Sequence, residues 1–117
     1  KDPEIIVKMQ SSLIARRHDV EENRDTYYVY DHPEFSQVVK ENVQTLIERL
    51  GVDVSVEGFE IVPIKGKKIV ATIFGRKVDA NIGIYKLSGS PELLTFLYRT
   101  GMGGRRSEGH GMWEIVY

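Results

Sequence analysis

The longest stretch with helical periodicity lies in the middle of the chain. Apolar residues recur every three or four positions over residues 35–50, while charged and amide side chains occupy the other side. Asp31 is the predicted N-cap, Pro33 suits the first turn, and Glu34 stands three places after the cap. Gly51 is predicted to end this helix as a left-handed C′ residue.

A second, shorter amphipathic segment lies near the C-terminal end. Ser90 followed by Pro91 is typical of a helix N-cap and first helical position, and Gly101 is expected to end the helix. The buried stripe of this helix is predicted to contain Leu93, Leu94, Leu97 and Tyr98. The pattern thus predicts two helices, one on each side of a long intervening region.

Alternating and β-prone runs fill the rest of the chain. Residues 4–15 read as a strand, residues 16–24 as a polar loop, and residues 27–30 as a short aromatic strand that returns as a hairpin arm. Further strands are predicted at the positions 54–64, 67–74, 78–87 and 112–117. Lys65 and Gly66 are predicted to form a hairpin turn between two of them.

The order of these elements predicts one α+β domain over residues 1–117. Two βαβ units with a hairpin between them describe a ferredoxin-like, split βαβ sandwich, in which an antiparallel sheet carries two helices on one face. The run over residues 67–87 is then an extra hairpin or one long bent strand, and the pattern leaves both open. The second face of the sheet is expected to bind a ligand or pack on a neighbour.

Length and composition exclude several classes of protein. A chain of 117 residues, with 41% hydrophobic and 28% charged residues, has the composition of a single globular domain. The cysteine count is 0, which excludes disulfides and thiolate zinc sites and agrees with a cytoplasmic protein. No apolar run approaches the roughly 20 residues that span a bilayer, so no membrane partner is expected.

Charge is distributed unevenly along the chain. Residues 1–60 hold 7 Lys and Arg against 13 Asp and Glu, a net charge of −6, whereas residues 61–117 hold 9 against 4, a net charge of +5. The second half therefore offers a local surface for a polyanion. Two solvated faces of opposite charge remain the alternative interpretation.

The densest chemical signal is a glycine-rich segment near the C-terminus. Five of the 11 glycines lie in residues 101–111, together with Arg105, Arg106 and Ser107. Glycines allow positive φ angles and let backbone N–H groups point inward at a ligand, and two guanidinium groups bind phosphate oxygens. Together these features predict a phosphate-binding loop. The segment leaves a predicted helix and enters a strand, which is the opposite order to a dinucleotide fingerprint, and the Gly-Lys-Ser/Thr triplet of a Walker loop is absent.

This segment resembles the glycine-rich loop of the repeat-associated RNA-binding (RAMP) superfamily. It reads Gly-Met-Gly, five residues with two arginines, then Gly-His-Gly, directly before the last strand. The chain most closely resembles the CRISPR-associated endoribonucleases that process repeat RNA. Supporting matches lie at residues 11–16, 27–35 and 87–94, and the resemblance covers about residues 4–117. Such proteins usually have two tandem ferredoxin-like domains, of which this chain resembles the second, RRM-like one.

The resemblance implies a function in CRISPR RNA maturation. The implied full-length endoribonuclease binds precursor CRISPR repeat RNA and cuts it without a metal or cofactor, by attack of the 2′-hydroxyl group, to leave a 2′,3′-cyclic phosphate. The alternatives are a non-catalytic RAMP subunit that binds guide RNA in an effector complex, and a metabolite-binding or oligomerisation module unrelated to RNA. Other CRISPR-associated proteins are implied as partners, and the oligomeric state, including a homodimer, stays open.

No catalytic residue or metal ligand is predicted within this chain. The family's catalytic histidine usually lies in the first domain, so we expect the general base to be outside these residues. If the general base lies within this chain, His18 and His110 are the first candidates. The predicted RNA-binding residues are Arg16, Arg17, Lys65, Lys67, Lys68, Gly101, Gly103, Gly104, Arg105, Arg106, Ser107, Gly109, His110 and Gly111.

Overall fold

The structure is a computed structural model and describes residues 3–103 and 110–116. This part of the chain contains six strands and two helices. The elements are, in chain order, β1 (Glu4–Met9), β2 (Ala15–Asp19), β3 (Arg24–Tyr28), α1 (Phe35–Leu50), β4 (Glu60–Ile73), β5 (Arg76–Ser88), α2 (Pro91–Thr100) and β6 (Trp113–Ile115). The predicted α+β class is therefore confirmed.

Four of the strands form one antiparallel sheet in the order β4-β5-β1-β6. This order places the first and third core strands in the middle, as in a ferredoxin-like sandwich. Val7 of β1 and Tyr85 of β5 lie in the same buried cluster as Val39 of α1 and Leu93 of α2. Both helices thus cover one face of the sheet, as predicted. Burial in this cluster raises the pKa of the Tyr85 hydroxyl.

The extra hairpin lies at a different place from the one predicted. Strands β2 and β3 form a separate two-stranded sheet, with Ala15 opposite Tyr28 and Asp19 opposite Arg24. The predicted loop over residues 16–24 is wrong, since most of its first half is strand β2. Charged side chains hid this strand because they are engaged in ion pairs across the hairpin, as Arg16 is with Asp25.

The predicted turn at Lys65 and Gly66 is also wrong. Both residues lie inside the long strand β4, which has an irregularity in register between Pro63 and Lys65. Gly66 is needed for another reason, because a Cβ atom there would overlap the ring of Tyr30. The run over residues 67–87 contains the end of β4 and most of β5, so of the two possibilities that the sequence left open a hairpin is the one observed, formed by two strands of the main sheet.

The turn that joins β4 to β5 consists of Phe74 and Gly75. Ile73 pairs directly with Arg76, so the loop contains two residues. Their φ angles are +49° and +77°, which is the pattern of a type I′ turn. Asparagine or glycine is usual where Phe74 stands, because a bulky residue with positive φ is strained by roughly 1–2 kcal/mol.

The helix caps agree with the predictions except at the start of α1. Gly51 ends α1 with a φ of +65°, and Ser90 Oγ accepts a hydrogen bond from the Leu93 amide at the start of α2, both as predicted. Asp31 is not the N-cap, because the N-cap position of α1 is Glu34, whose amide donates to His32 Nδ1. Tyr98 is exposed over 54% of its surface and does not belong to the buried stripe. Neither helix in the described ranges is long and apolar enough to cross a membrane.

A buried asparagine joins the two sheets. Asn81 of β5 is fully buried, and its side-chain amide donates to the carbonyl oxygens of Leu13 and Tyr28 at 3.2 and 3.1 Å. Its Oδ1 atom accepts a hydrogen bond of 2.7 Å from the Tyr30 amide. One side chain therefore binds three backbone groups around the β2–β3 hairpin.

Candidate functional site

The glycine-rich segment begins and ends in a hydrogen-bonded stem, defined here as residues 101–103 and 110–112. The Met102 amide donates to the Gly111 carbonyl at 3.1 Å, and the Gly111 amide donates to the Ser12 carbonyl at 2.8 Å. The Ser11 hydroxyl accepts a 2.9 Å hydrogen bond from the Met112 amide. The stem is therefore fastened to the segment that connects β1 to β2.

The described glycines of the stem are required by the close approach of backbone to backbone. Gly101, Gly103 and Gly111 have φ angles of +80°, +86° and +87°, as the sequence predicted. A Cβ atom on Gly103 would stand 2.5 Å from the Ile14 carbonyl oxygen, and one on Gly111 would overlap the backbone of Met102. Tight packing of the chain on itself thus explains these three glycines without a ligand.

The amide groups of two stem glycines are already used inside the protein. Gly101 donates to the Leu97 carbonyl at 2.8 Å, and Gly111 donates to Ser12. The glycine-rich pattern predicted inward N–H groups for a phosphate, but these two amides bind carbonyl oxygens of the protein instead. Gly104, Arg105, Arg106, Ser107 and Gly109 lie outside the described residues, so their assignment to RNA binding stays a prediction.

His110 closes the second side of the stem. Its Nδ1 atom lies 2.7 Å from Ser12 Oγ in a partly buried hydrogen bond. This contact holds the imidazole at the edge of the glycine-rich segment. Its predicted contact with RNA stays a prediction.

Arg17 connects the β2–β3 hairpin to α1. Its guanidinium group lies 2.7 Å from Glu34 and 2.8 Å from Glu41, and 5.4 Å from the centre of the Tyr28 ring. The hydrogen bonds from Arg17 lower the pKa of the Glu41 carboxyl group, and the two carboxylates raise the pKa of Arg17. Two carboxylates share the charge of Arg17, which gives it a structural role in joining the hairpin to α1, and its assignment to RNA binding stays a prediction.

The other predicted cations differ in how strongly they are engaged. Arg16 lies 3.2 Å from Asp25, and its backbone is bonded in both directions to the side chain of Asn42. Lys65, Lys67 and Lys68 are exposed along β4, and Lys68 lies 3.8 Å from Asp79. Within the described ranges, Lys65 and Lys67 form no ion pair, so their charge faces solvent.

A cleft of about 670 Å³ separates the β2–β3 hairpin from the end of the β4–β5 hairpin. His18 and Asp25 line one wall, with 2.7 Å between His18 Nδ1 and Asp25 Oδ1, and Arg76 and Lys77 line the other. Partial burial alone would raise the pKa of Asp25, but hydrogen bonds from His18 and Arg16 outweigh it and lower that pKa.

Sequence analysis did not find this cleft. It is lined by residues from two segments that are far apart in the chain, 18–27 and 73–78, which no single window contains. The one available signal was the absence of carboxylates over residues 61–78, in which Arg76 and Lys77 lie. No group of three His, Asp or Glu side chains in residues 3–103 and 110–116 is arranged to hold a metal ion.

The fold and the stem together define a ferredoxin-like domain with a glycine-rich segment between its last helix and last strand. Residues 1–115 match the family model described as "CRISPR associated protein Cas6, C-terminal". The chain therefore belongs to this family, which confirms the resemblance seen in the sequence. Among curated proteins, none matches this chain.

Solved structures share the fold. A "CRISPR associated protein Cas6" superposes with a TM-score of 0.83 at 21% identity and covers 97% of this chain. "An RAMP protein binding different RNA substrates" gives 0.80 at 20% identity over 97% of the chain, and a Cas6-related protein from Pyrococcus furiosus gives 0.80 at 21% identity, again over 97%. The chain spans 48%, 49% and 48% of these proteins, or about half of each.

Proposed function

We propose that this chain is the RNA-binding, C-terminal half of an endoribonuclease that processes CRISPR repeat RNA in the cytoplasm. The observation that supports this most is the match of residues 1–115 to the Cas6 C-terminal family. Because the chain spans about half of the solved relatives, we also propose that a second ferredoxin-like half precedes it in the parent protein.

The proposed reaction is an intramolecular transesterification. A general base takes the proton of the RNA 2′-hydroxyl group, and the 2′-oxygen forms a bond to the adjacent phosphorus atom. The bond from phosphorus to the 5′-oxygen breaks, and an acid protonates that oxygen, which leaves a 2′,3′-cyclic phosphate and a 5′-hydroxyl end. Cationic side chains would stabilise the charge on the phosphoryl oxygens, and we assign no general base to this chain.

The stem supports the proposal by presenting residues 104–109 between two fixed points. Arg105 and Arg106 stand in that interval, and guanidinium groups bind phosphate oxygens with two parallel hydrogen bonds. In the proposed complex these two residues bind the RNA backbone. The stem itself fixes the two ends of this interval, because Met102 is buried and its amide donates a hydrogen bond to the Gly111 carbonyl.

Substitution of the two arginines tests RNA binding. Each of Arg105→Ala and Arg106→Ala is expected to weaken binding of the repeat RNA from the same genome. The slope of log K against log salt should fall by about 0.7–0.9 for each phosphate that the variant no longer binds. Arg49→Ala is the matched control, since Arg49 is an exposed arginine in the last turn of α1. Wild-type affinity and an unchanged slope in both loop variants would refute the assignment.

A cleavage assay on the full-length parent protein tests the reaction. Site-specific products with 2′,3′-cyclic phosphate ends, formed in the presence of EDTA, would support the endoribonuclease. Tight binding without cleavage would support the second candidate, a RAMP subunit that only holds guide RNA. One solved relative is described as binding different RNA substrates, and RNA binding alone fits both candidates. We expect little or no cleavage by the 117 residues alone.

A further inference from the structure

The cleft between the two hairpins has surplus positive charge. Its lining contains Arg24, Arg76 and Lys77 against Glu22 and Asp25, so the cations exceed the carboxylates by one with histidine neutral. Arg24 is paired with Glu22 at 3.0 Å. No ion pair within the described ranges involves Arg76 or Lys77. Two cations are therefore available at the end of the β4–β5 hairpin.

An aromatic ring stands directly beside these cations. Phe74 is 78% exposed at the tip of the hairpin and lines the same cleft, together with Tyr27 from the opposite wall. Its φ of +49° is unfavourable for a phenylalanine, and asparagine or glycine would satisfy the turn with less strain. A strained, exposed, bulky side chain at a turn points to a role other than stability.

Together, these observations describe the chemistry of a site for single-stranded nucleic acid. Such sites combine an aromatic platform for a base with cations that follow the phosphate backbone. Here Phe74 supplies the platform, and Arg76 and Lys77 follow it in the sequence at the start of β5. A site for a protein partner would be expected to have apolar side chains beside Phe74. The side chains at positions 76 and 77 are cationic instead, which favours nucleic acid.

We propose that the end of the β4–β5 hairpin is a second RNA subsite, in which an unpaired base stacks on Phe74 and its flanking phosphates bind Arg76 and Lys77. This inference rests on the proposed RNA-binding function and deepens it. The subsite recognises an unpaired stretch of the RNA rather than a particular base, because every base has a face that can stack.

Phe74→Asn is the most informative variant for this proposal. Asparagine tolerates positive φ, so the variant should fold with an unchanged or higher melting temperature. Its affinity for a fluorescein-labelled single-stranded oligo(A) RNA of about 12 nucleotides should fall about tenfold. Phe74→Tyr keeps a ring and should bind within about twofold of the wild type. Val20→Asn is the matched control, since Val20 is 82% exposed at the tip of the neighbouring hairpin and does not line the cleft.

The cations are tested through the salt dependence of binding. In the double variant Arg76→Ala/Lys77→Ala, the slope of log K against log salt should fall by about 1.4, which is about 0.7 for each phosphate on a single strand. Unchanged binding of the oligo(A) probe by both this variant and Phe74→Asn would overturn the inference. So would wild-type binding of repeat RNA without binding of the single-stranded probe.

A parallel measurement separates this proposal from the function on which it rests. Wild-type protein is titrated with repeat RNA at low salt alongside the oligo(A) probe. Failure to retain either RNA would refute the proposed function itself. Retention of repeat RNA, with reduced affinity in Phe74→Asn but not in Val20→Asn, would support both.

Discussion

Gly111→Ala tests whether the glycine-rich stem is built by backbone packing. The structure offers a control of the same chemistry in Gly51→Ala. Both glycines have positive φ angles, +87° and +65°. A Cβ atom on Gly51 meets nothing within 4 Å, whereas one on Gly111 overlaps the backbone of Met102. The difference between the two variants therefore isolates the steric contribution from the conformational one.

The expected magnitudes follow from the local geometry at each glycine. Gly51→Ala carries only the left-handed backbone cost, about 1 kcal/mol. Gly111→Ala adds the displacement of Met102, which disrupts the hydrogen bonds from Met102 to Gly111 and from Gly111 to Ser12. At about 1 kcal/mol for each hydrogen bond, the total reaches about 3 kcal/mol. For a domain of this size the melting temperature should fall by about 12 °C, against about 4 °C in the control.

Thermal unfolding followed by circular dichroism, with urea titration at 25 °C, measures both variants. The steric explanation is refuted if Gly111→Ala destabilises the protein no more than Gly51→Ala does. In that case the stem would open without cost, and its glycines would need another explanation.

Two further predictions concern the attachment of the β2–β3 hairpin. Asn81→Leu should lower the free energy of unfolding by about 3 kcal/mol, because it removes the side-chain partner of the Tyr30 amide and of the Tyr28 carbonyl; a decrease below about 1 kcal/mol in urea titration would contradict this. Arg17→Met should cost under about 1 kcal/mol at pH 7, since the ion pairs are partly exposed. Arg17 lowers the pKa of Glu41, so the pair stabilises the fold above the ordinary glutamate pKa and its contribution disappears as pH falls through the lowered value. The stability difference between wild type and variant should therefore shrink on acidification from about pH 6 to pH 3, and a constant difference would contradict the assignment.

Local patterns predicted the elements whose signals lie within one segment. The apolar spacing of residues 35–50 and the Ser90-Pro91 start were sufficient for α1 and α2. Strand β2 was missed because its charged residues are satisfied by partners far away in the sequence, such as Glu34 and Glu41 for Arg17. Such partners cannot be recognised from hydrophobic periodicity.

Glycine predicted the ends of both helices correctly but misplaced one turn. At Lys65 and Gly66 it suggested a turn, but Gly66 is a position where a strand passes under the ring of Tyr30. The actual turn contains Phe74, a residue that turn preferences disfavour. The two candidate sites differ in how they are built. The glycine-rich segment is contiguous and was predicted from the sequence, while the cleft joins residues that only the fold brings together.

The hydrogen bond from Met102 to Gly111 has a consequence for how this family can diversify. It joins the described residues on either side of the interval 104–109 by backbone hydrogen bonds. The entropy of closing a longer connection rises only slowly with its length. Insertions or replacements between these ends should therefore leave α2 and β6 in place, which makes this interval a suitable place to graft new specificity.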